Sequence, residues 1–111
     1  MAAAVETIGY AITTSLSDAM SAIATNMEAL AFVSIANTTT ASKLVTVKFH
    51  NGTTAFARCV DYLLTPKGTA GAQIDVWQNG IGLQATQKIQ AQADATGVDM
   101  IITLQKRSTL N

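Results

Sequence analysis

The sequence predicts an α+β domain: a long N-terminal amphipathic helix packed on a small antiparallel or mixed sheet of about four strands, with one further helix. Three observations lead there. Val5, Ile12, Ala19 and Val33 recur on a seven-residue spacing, beside a second row of Leu16, Ile23 and Leu30. The apolar period then drops from the helical value to two, as Val45, Val47 and Phe49 alternate with Thr46 and Lys48. Between two such alternating runs stands Asn51-Gly52, the strongest short hairpin signal in a sequence, because both residues tolerate positive φ.

The first helix is expected over residues 1 to 36. From Val5 onward that stretch holds no proline and a single glycine, Gly9, and its Ala, Leu, Met and Glu favour helix. At roughly 1.5 Å per residue the rod is about 45 Å long, more than the width of a small compact domain, so part of its stripe overhangs and calls for a partner helix. Asn26 falls on the first heptad row, where a polar residue either fixes register or marks a break into two shorter helices.

Residues 37 to 43 read as a linker, opened by Asn37, Thr38, Thr39 and Thr40, whose branched and turn-forming side chains end a helix. The β-rich part then runs over residues 44 to 111. A two-residue turn at Asn51-Gly52 sets Val47 opposite Phe56 and Leu44 opposite Cys59, leaving Ala55, Ala57 and Cys59 as a strip of small side chains on the other face. Pro66 ends this strand, since proline cannot donate to a ladder. Ala72 to Trp77 alternates again before a second turn signal at Asn79-Gly80. Residues 83 to 96 take helical spacing through Ala85, Ile89 and Ala93, with Gly97 as the cap. Val98, Met100, Ile102 and Leu104 alternate as the last strand, giving the order α-β-β-β-α-β in one domain, residues 1 to 111.

Composition narrows the function. Hydrophobic residues make up 49% and charged residues only 13%, so the surface is largely neutral and repels its neighbours weakly, which favours self-association. Seven cations balance seven acids, which gives no bulk electrostatic reason for an obligatory nucleic acid partner. The charge is unevenly placed. Residues 1 to 42 hold Glu6, Asp18 and Glu28 and no cation, a charge of −3, while the remainder sets all seven cations against Asp61, Asp75, Asp94 and Asp99, a charge of +3. That attraction either docks the N-terminal segment on its own domain or joins one copy to the next.

The apolar window from Ala19 to Ala36 carries Asn26 and Glu28 near its middle, so no membrane span is expected. No cationic start of a secretory signal precedes it, which points to cytoplasmic synthesis or virion assembly. Cys59 is the single cysteine, which rules out an internal disulfide.

Reactive groups are sparse. His50 is the one histidine, which excludes paired-histidine metal sites, and the expected register leaves it roughly 20 Å from Cys59 at about 3.4 Å per residue. Asp61 and Asp75 are the carboxylates placed within strands; Asp61, three residues from Arg58 and near the end of its strand, is accounted for by a local ion pair or solvation. Lys67-Gly68-Thr69 lacks the upstream glycine of a phosphate-binding loop. Asn37-Thr38-Thr39 and Asn51-Gly52-Thr53 match glycosylation acceptors but carry no weight without a secretory signal.

These features point to a non-enzymatic structural subunit that assembles with copies of itself, with other structural proteins as further candidate partners, into a particle, tube or filament of phage or bacterial type. No catalytic residue, cofactor or metal is expected. Leu16, Ile23, Leu30 and Val33 form the expected contact row, with Trp77 as a further anchor. The alternatives are a small binding domain that holds an apolar ligand or partner protein between helix and sheet, and an enzyme working through Asp61, Asp75 or His50.

Overall fold

The computed structural model describes residues 4 to 110 and is all-β there. Its nine strands are β1 (Ala4–Ala11), β2 (Ser17–Asp18), β3 (Met27–Asn37), β4 (Lys43–His50), β5 (Ala55–Leu64), β6 (Gln73–Asp75), β7 (Ile81–Leu83), β8 (Lys88–Ala93) and β9 (Val98–Ser108). They build two antiparallel sheets. The first runs β1-β9-β3, with β6 and β7 end to end along the far edge of β3, and the second runs β2-β8-β4-β5.

Neither expected helix exists among the described residues, so the α+β class and the order α-β-β-β-α-β are both corrected. The reason lies in side chains that satisfy two periods at once. In β3, Ala29, Ala31, Val33 and Ile35 are buried, but the intervening row holds Leu30 and Phe32, so the alternation is hidden by apolar residues on both faces. In β1, Ile8 and Tyr10 turn to the core, as does Ile12 just beyond it, while Val5, Thr7 and Gly9 face out. Between these strands the hydroxyls take over the backbone: Thr13 Oγ1 and Ser17 Oγ both donate to the Ser15 carbonyl, at 2.8 and 3.0 Å. Such local bonds compete with a helical ladder. Asn26 takes a left-handed φ of 63° in the turn before β3, so it marks neither a register position nor a helix break.

The second expected helix is β8. Ile89, Ala91 and Ala93 are buried and alternate with Lys88, Gln90 and Gln92, a strict period of two that the i, i+4 spacing of Ala85, Ile89 and Ala93 imitates. Gly97 does take a positive φ of 110°, but in the turn between β8 and β9.

The β4–β5 hairpin forms with a longer loop than a two-residue turn. His50 pairs with Ala55, Asn51 N donates to Thr54 O, and Asn51 Oδ1 accepts from the amides of Thr53 and Thr54. Two irregularities further along β5 shift the register again, so Val47 faces Cys59 and Leu44 faces Leu63. Asp61 takes a φ of 49° there, and its amide donates to Thr46 Oγ1 at 3.1 Å. The Asn79-Gly80 turn does not reverse the chain. It bends the segment between β6 and β7 so that both follow the same edge of β3.

The core lies between the sheets as one cluster. Val33, Ile35, Met100, Ile102 and Leu104 of the first sheet meet Val45, Val47, Ile89, Ala91 and Ala93 of the second, and Ile12, Met20 and Ile23 join them from the segment that runs along β8. The unequal charge resolves within the chain. Lys88 pairs with Asp18, Lys106 with Glu6 and Arg107 with Glu28, so each acid of the first 42 residues meets a cation of the remainder. All three pairs are partly exposed to solvent and contribute little stability each.

Candidate self-association surface

The outward face of the first sheet follows from register. Opposite residues share a face, so Val5, Gln105 and Leu30 form one row, Thr7, Thr103 and Phe32 the next, and Gly9, Ile101 and Ser34 a third. The middle of this face is uncharged. Val5 is 68% exposed, Ile101 50% and Leu30 37%. The loop between β6 and β7 rims it, and Trp77 and Phe32 line a shallow groove of about 260 Å³. Gly80 is required there: at φ 80° a side chain would press on the Ala31 carbonyl and the Phe32 ring, about 3.0 Å away.

A second exposed apolar area lies on β5, the edge of the second sheet. Phe56, Val60, Tyr62 and Leu63 are each more than 40% exposed. The sequence sets Phe56 opposite Val47 and Cys59 in an outward strip, but the β5 irregularities turn Cys59 to face Val47 and half-bury it. Burial pushes the Cys59 thiol up, away from the reactive thiolate. His50 lies three residues along β4 from the partner of Cys59, closer than the expected register allows, yet an odd offset puts the two on opposite sides of the sheet. His50 Nδ1 accepts the Gly52 amide at 3.1 Å.

Two clefts open between the sheets. One, about 600 Å³, is lined by Ile8, Met20, Met27 and Leu104, with the Glu6–Lys106 pair at its side. Asp18 borders it, and the Gln90 amide and then the Lys88 ammonium hold its carboxyl below the ordinary aspartate range. The other, about 530 Å³, runs between β5 and β6, where Arg58 Nε donates to the Val76 carbonyl at 3.0 Å. Among the described residues, no three His, Cys, Asp or Glu side chains gather where a metal ion could bind, and no helix is long and apolar enough to cross a membrane.

Of the residues expected to form a contact row, the structure brings Leu30 and Trp77 to the first sheet and its rim. Ile23 and Val33 are core residues, at 6% and 2% exposure, and Leu16 is exposed in the loop before β2. Phe32 and Ile101 are the residues of this face that sequence reasoning missed. Their signal was the outward row of each strand, legible once the period is taken as two.

This arrangement has counterparts among solved structures. A chain in the acidic stable capsid structure of Helicobacter pylori bacteriophage KHP30 superposes over 99% of this chain and 90% of its own, with a TM-score of 0.58 and 11% identity. The two chains share a fold. Two crystal structures of a pentameric capsid protein isolated from metagenomic phage sequences, one of them solved by iodide SAD phasing, each match at a TM-score of 0.47 and 12% identity. They cover 92% of this chain and 60% and 63% of their own. No family model matches the chain, and no curated protein does.

Proposed function

We propose that this chain is a non-enzymatic structural subunit that assembles with copies of itself as part of a phage particle. The observation that carries the reading is the likeness in fold to the KHP30 capsid chain, which spans nearly the whole of both chains. The surface supports it. A face with Val5, Leu30, Phe32 and Ile101 at its centre and no charge among them loses little on desolvation and gains from apolar burial, at about 25 cal/mol per Å². Leu30 and Trp77 are the proposed anchors, the assembled particle is the proposed location, and other structural proteins of the particle are possible neighbours.

Size-exclusion chromatography with light scattering, followed by electron microscopy, tests this reading. The expected result is uniform species larger than one chain whose population rises with concentration. A monomer at every concentration overturns the proposal. Leu30→Asp is expected to keep the β-type circular dichroism and shift the distribution toward monomer, because the site is outward and an acid there is desolvated by any partner. Unchanged assembly removes Leu30 from the contact.

A further inference from the structure

The sheet edges of this molecule are not equivalent. β2 spans two residues, while β6 and β7 span three each. β5 is long, but two register irregularities and the left-handed Asp61 break up its edge, the usual device against edge pairing. β1 differs from all of these. Its eight residues pair with β9 without interruption and hold no proline, lysine or arginine.

The polarity of that edge can be read from one bond. Ile12 N donates to Val98 O at 2.9 Å, so in continuous register the even residues of β1 exchange hydrogen bonds with β9. The odd residues Val5, Thr7, Gly9 and Ala11 therefore aim their N–H and C=O groups away from β9. Among the described residues no strand accepts them. Gly9 adds a second feature. Its φ is not positive, and a Cβ there would meet nothing within 4 Å, so neither backbone strain nor internal crowding explains a glycine in mid-strand. Glycine at such a position suits the close approach of another backbone.

We infer that β1 pairs antiparallel with β1 of a second copy about a two-fold axis at Ile8, joining two first sheets into one continuous sheet. The inference deepens the self-assembly reading and rests on it. The strand is complementary to itself in this register: Val5 faces Ala11 and Thr7 faces Gly9 of the second copy, so all four odd residues are used. That gives four hydrogen-bonded pairs and about eight bonds, and a two-residue slip in either direction loses at least one pair. Charge agrees. Glu6 is the one ionised side chain of β1, and this register sets it opposite Tyr10 of the second copy, away from the other Glu6. The joined sheet is eight strands across, counting β6 and β7 as one position, within the range open sheets reach. A two-fold pairing uses the same patch on both copies and leaves the apolar outer faces contiguous for further contacts.

Two measurements test the pairing. Amide exchange on the assembled wild-type protein is expected to show Thr7, Gly9 and Ala11 exchanging as slowly as Ile8 and Tyr10. In a Cys59→Ala background, Ile8→Cys is expected to form a disulfide-linked dimer under mild oxidation, since opposite residues of a non-hydrogen-bonded pair lie about 4.5 Å apart at Cα. Thr7→Cys, which faces Gly9, is expected to stay unlinked. A wild-type monomer overturns both this pairing and the self-assembly reading. If the protein assembles while the odd amides exchange freely and no disulfide forms, the pairing falls and assembly stands. Protection of the odd amides without the Ile8→Cys link assigns the edge to a different strand and overturns self-pairing, and a Thr7→Cys link overturns the register.

Discussion

Asn37→Leu is expected to lower the unfolding free energy by about 3 to 5 kcal/mol, a large share of what a domain of this size possesses. Asn37 closes β3 and is 3% exposed. Its Nδ2 donates to the carbonyls of Ala41, Thr65 and Leu64 at 2.7, 3.0 and 3.3 Å, and its Oδ1 accepts from Thr39 N and Thr39 Oγ1 at 2.9 and 2.7 Å. One side chain thus ties the end of the first sheet to the segment entering β4 and the segment leaving β5. Leucine keeps much of the volume but leaves these groups without a partner, at about 1 to 3 kcal/mol for each that water cannot reach. Urea denaturation read by tryptophan fluorescence and circular dichroism measures the change. A loss under about 1 kcal/mol means that solvent replaces the side chain and that the junction does not depend on it.

That junction shows what the sequence makes legible. The sequence marks Asn37 as the end of one element and the start of a linker because Asn and Thr favour turns, and a turn does follow. Nothing in a one-dimensional pattern shows that the amide also reaches carbonyls 27 and 28 residues away. β9 and β4 were readable for a different reason: Val98, Met100, Ile102 and Leu104, like Val45 and Val47, stand out against intervening residues that are mostly polar. β3 and β8 fail the same test from opposite sides. In β3 the outward row is as apolar as the inward one, and in β8 the inward row is mostly alanine, which carries the highest helix propensity and a weak strand signal. Tertiary pairing overrides propensity in both. The surface follows the same logic, because Leu30 stands out in the sequence as part of a helical stripe, whereas its actual neighbours are Gln105 and Gly82 across two strand pairings. One consequence is concrete: Ile23→Asp, which on a helix would weaken association alone, instead places a charge in the core.

The same corner of the molecule yields the second large effect, at Gly97. Gly97→Ala is expected to cost about 2 to 4 kcal/mol from two sources that a second substitution separates. The first is conformational: φ is 110° in the β8–β9 turn, a region that side chains rarely adopt. The second is steric, since an added Cβ would fall inside the van der Waals envelope of Thr39 Cγ2. Thr39 cannot rotate away freely, because its Oγ1 donates to Asn37 Oδ1 at 2.7 Å and lies 3.0 Å from the Ala41 carbonyl. Nor can the turn retreat without loss, because the Gly97 carbonyl accepts both the Thr38 amide and Thr38 Oγ1 at 2.9 Å. Thr39→Ser removes the offending methyl and keeps the hydroxyl. In that background Gly97→Ala retains the φ cost and sheds the clash, so the double-mutant cycle is expected to show a favourable coupling of about 1 kcal/mol or more. Equal costs of Gly97→Ala in the two backgrounds would assign the whole effect to backbone conformation and sever the proposed contact between the β8–β9 turn and the Asn37 junction.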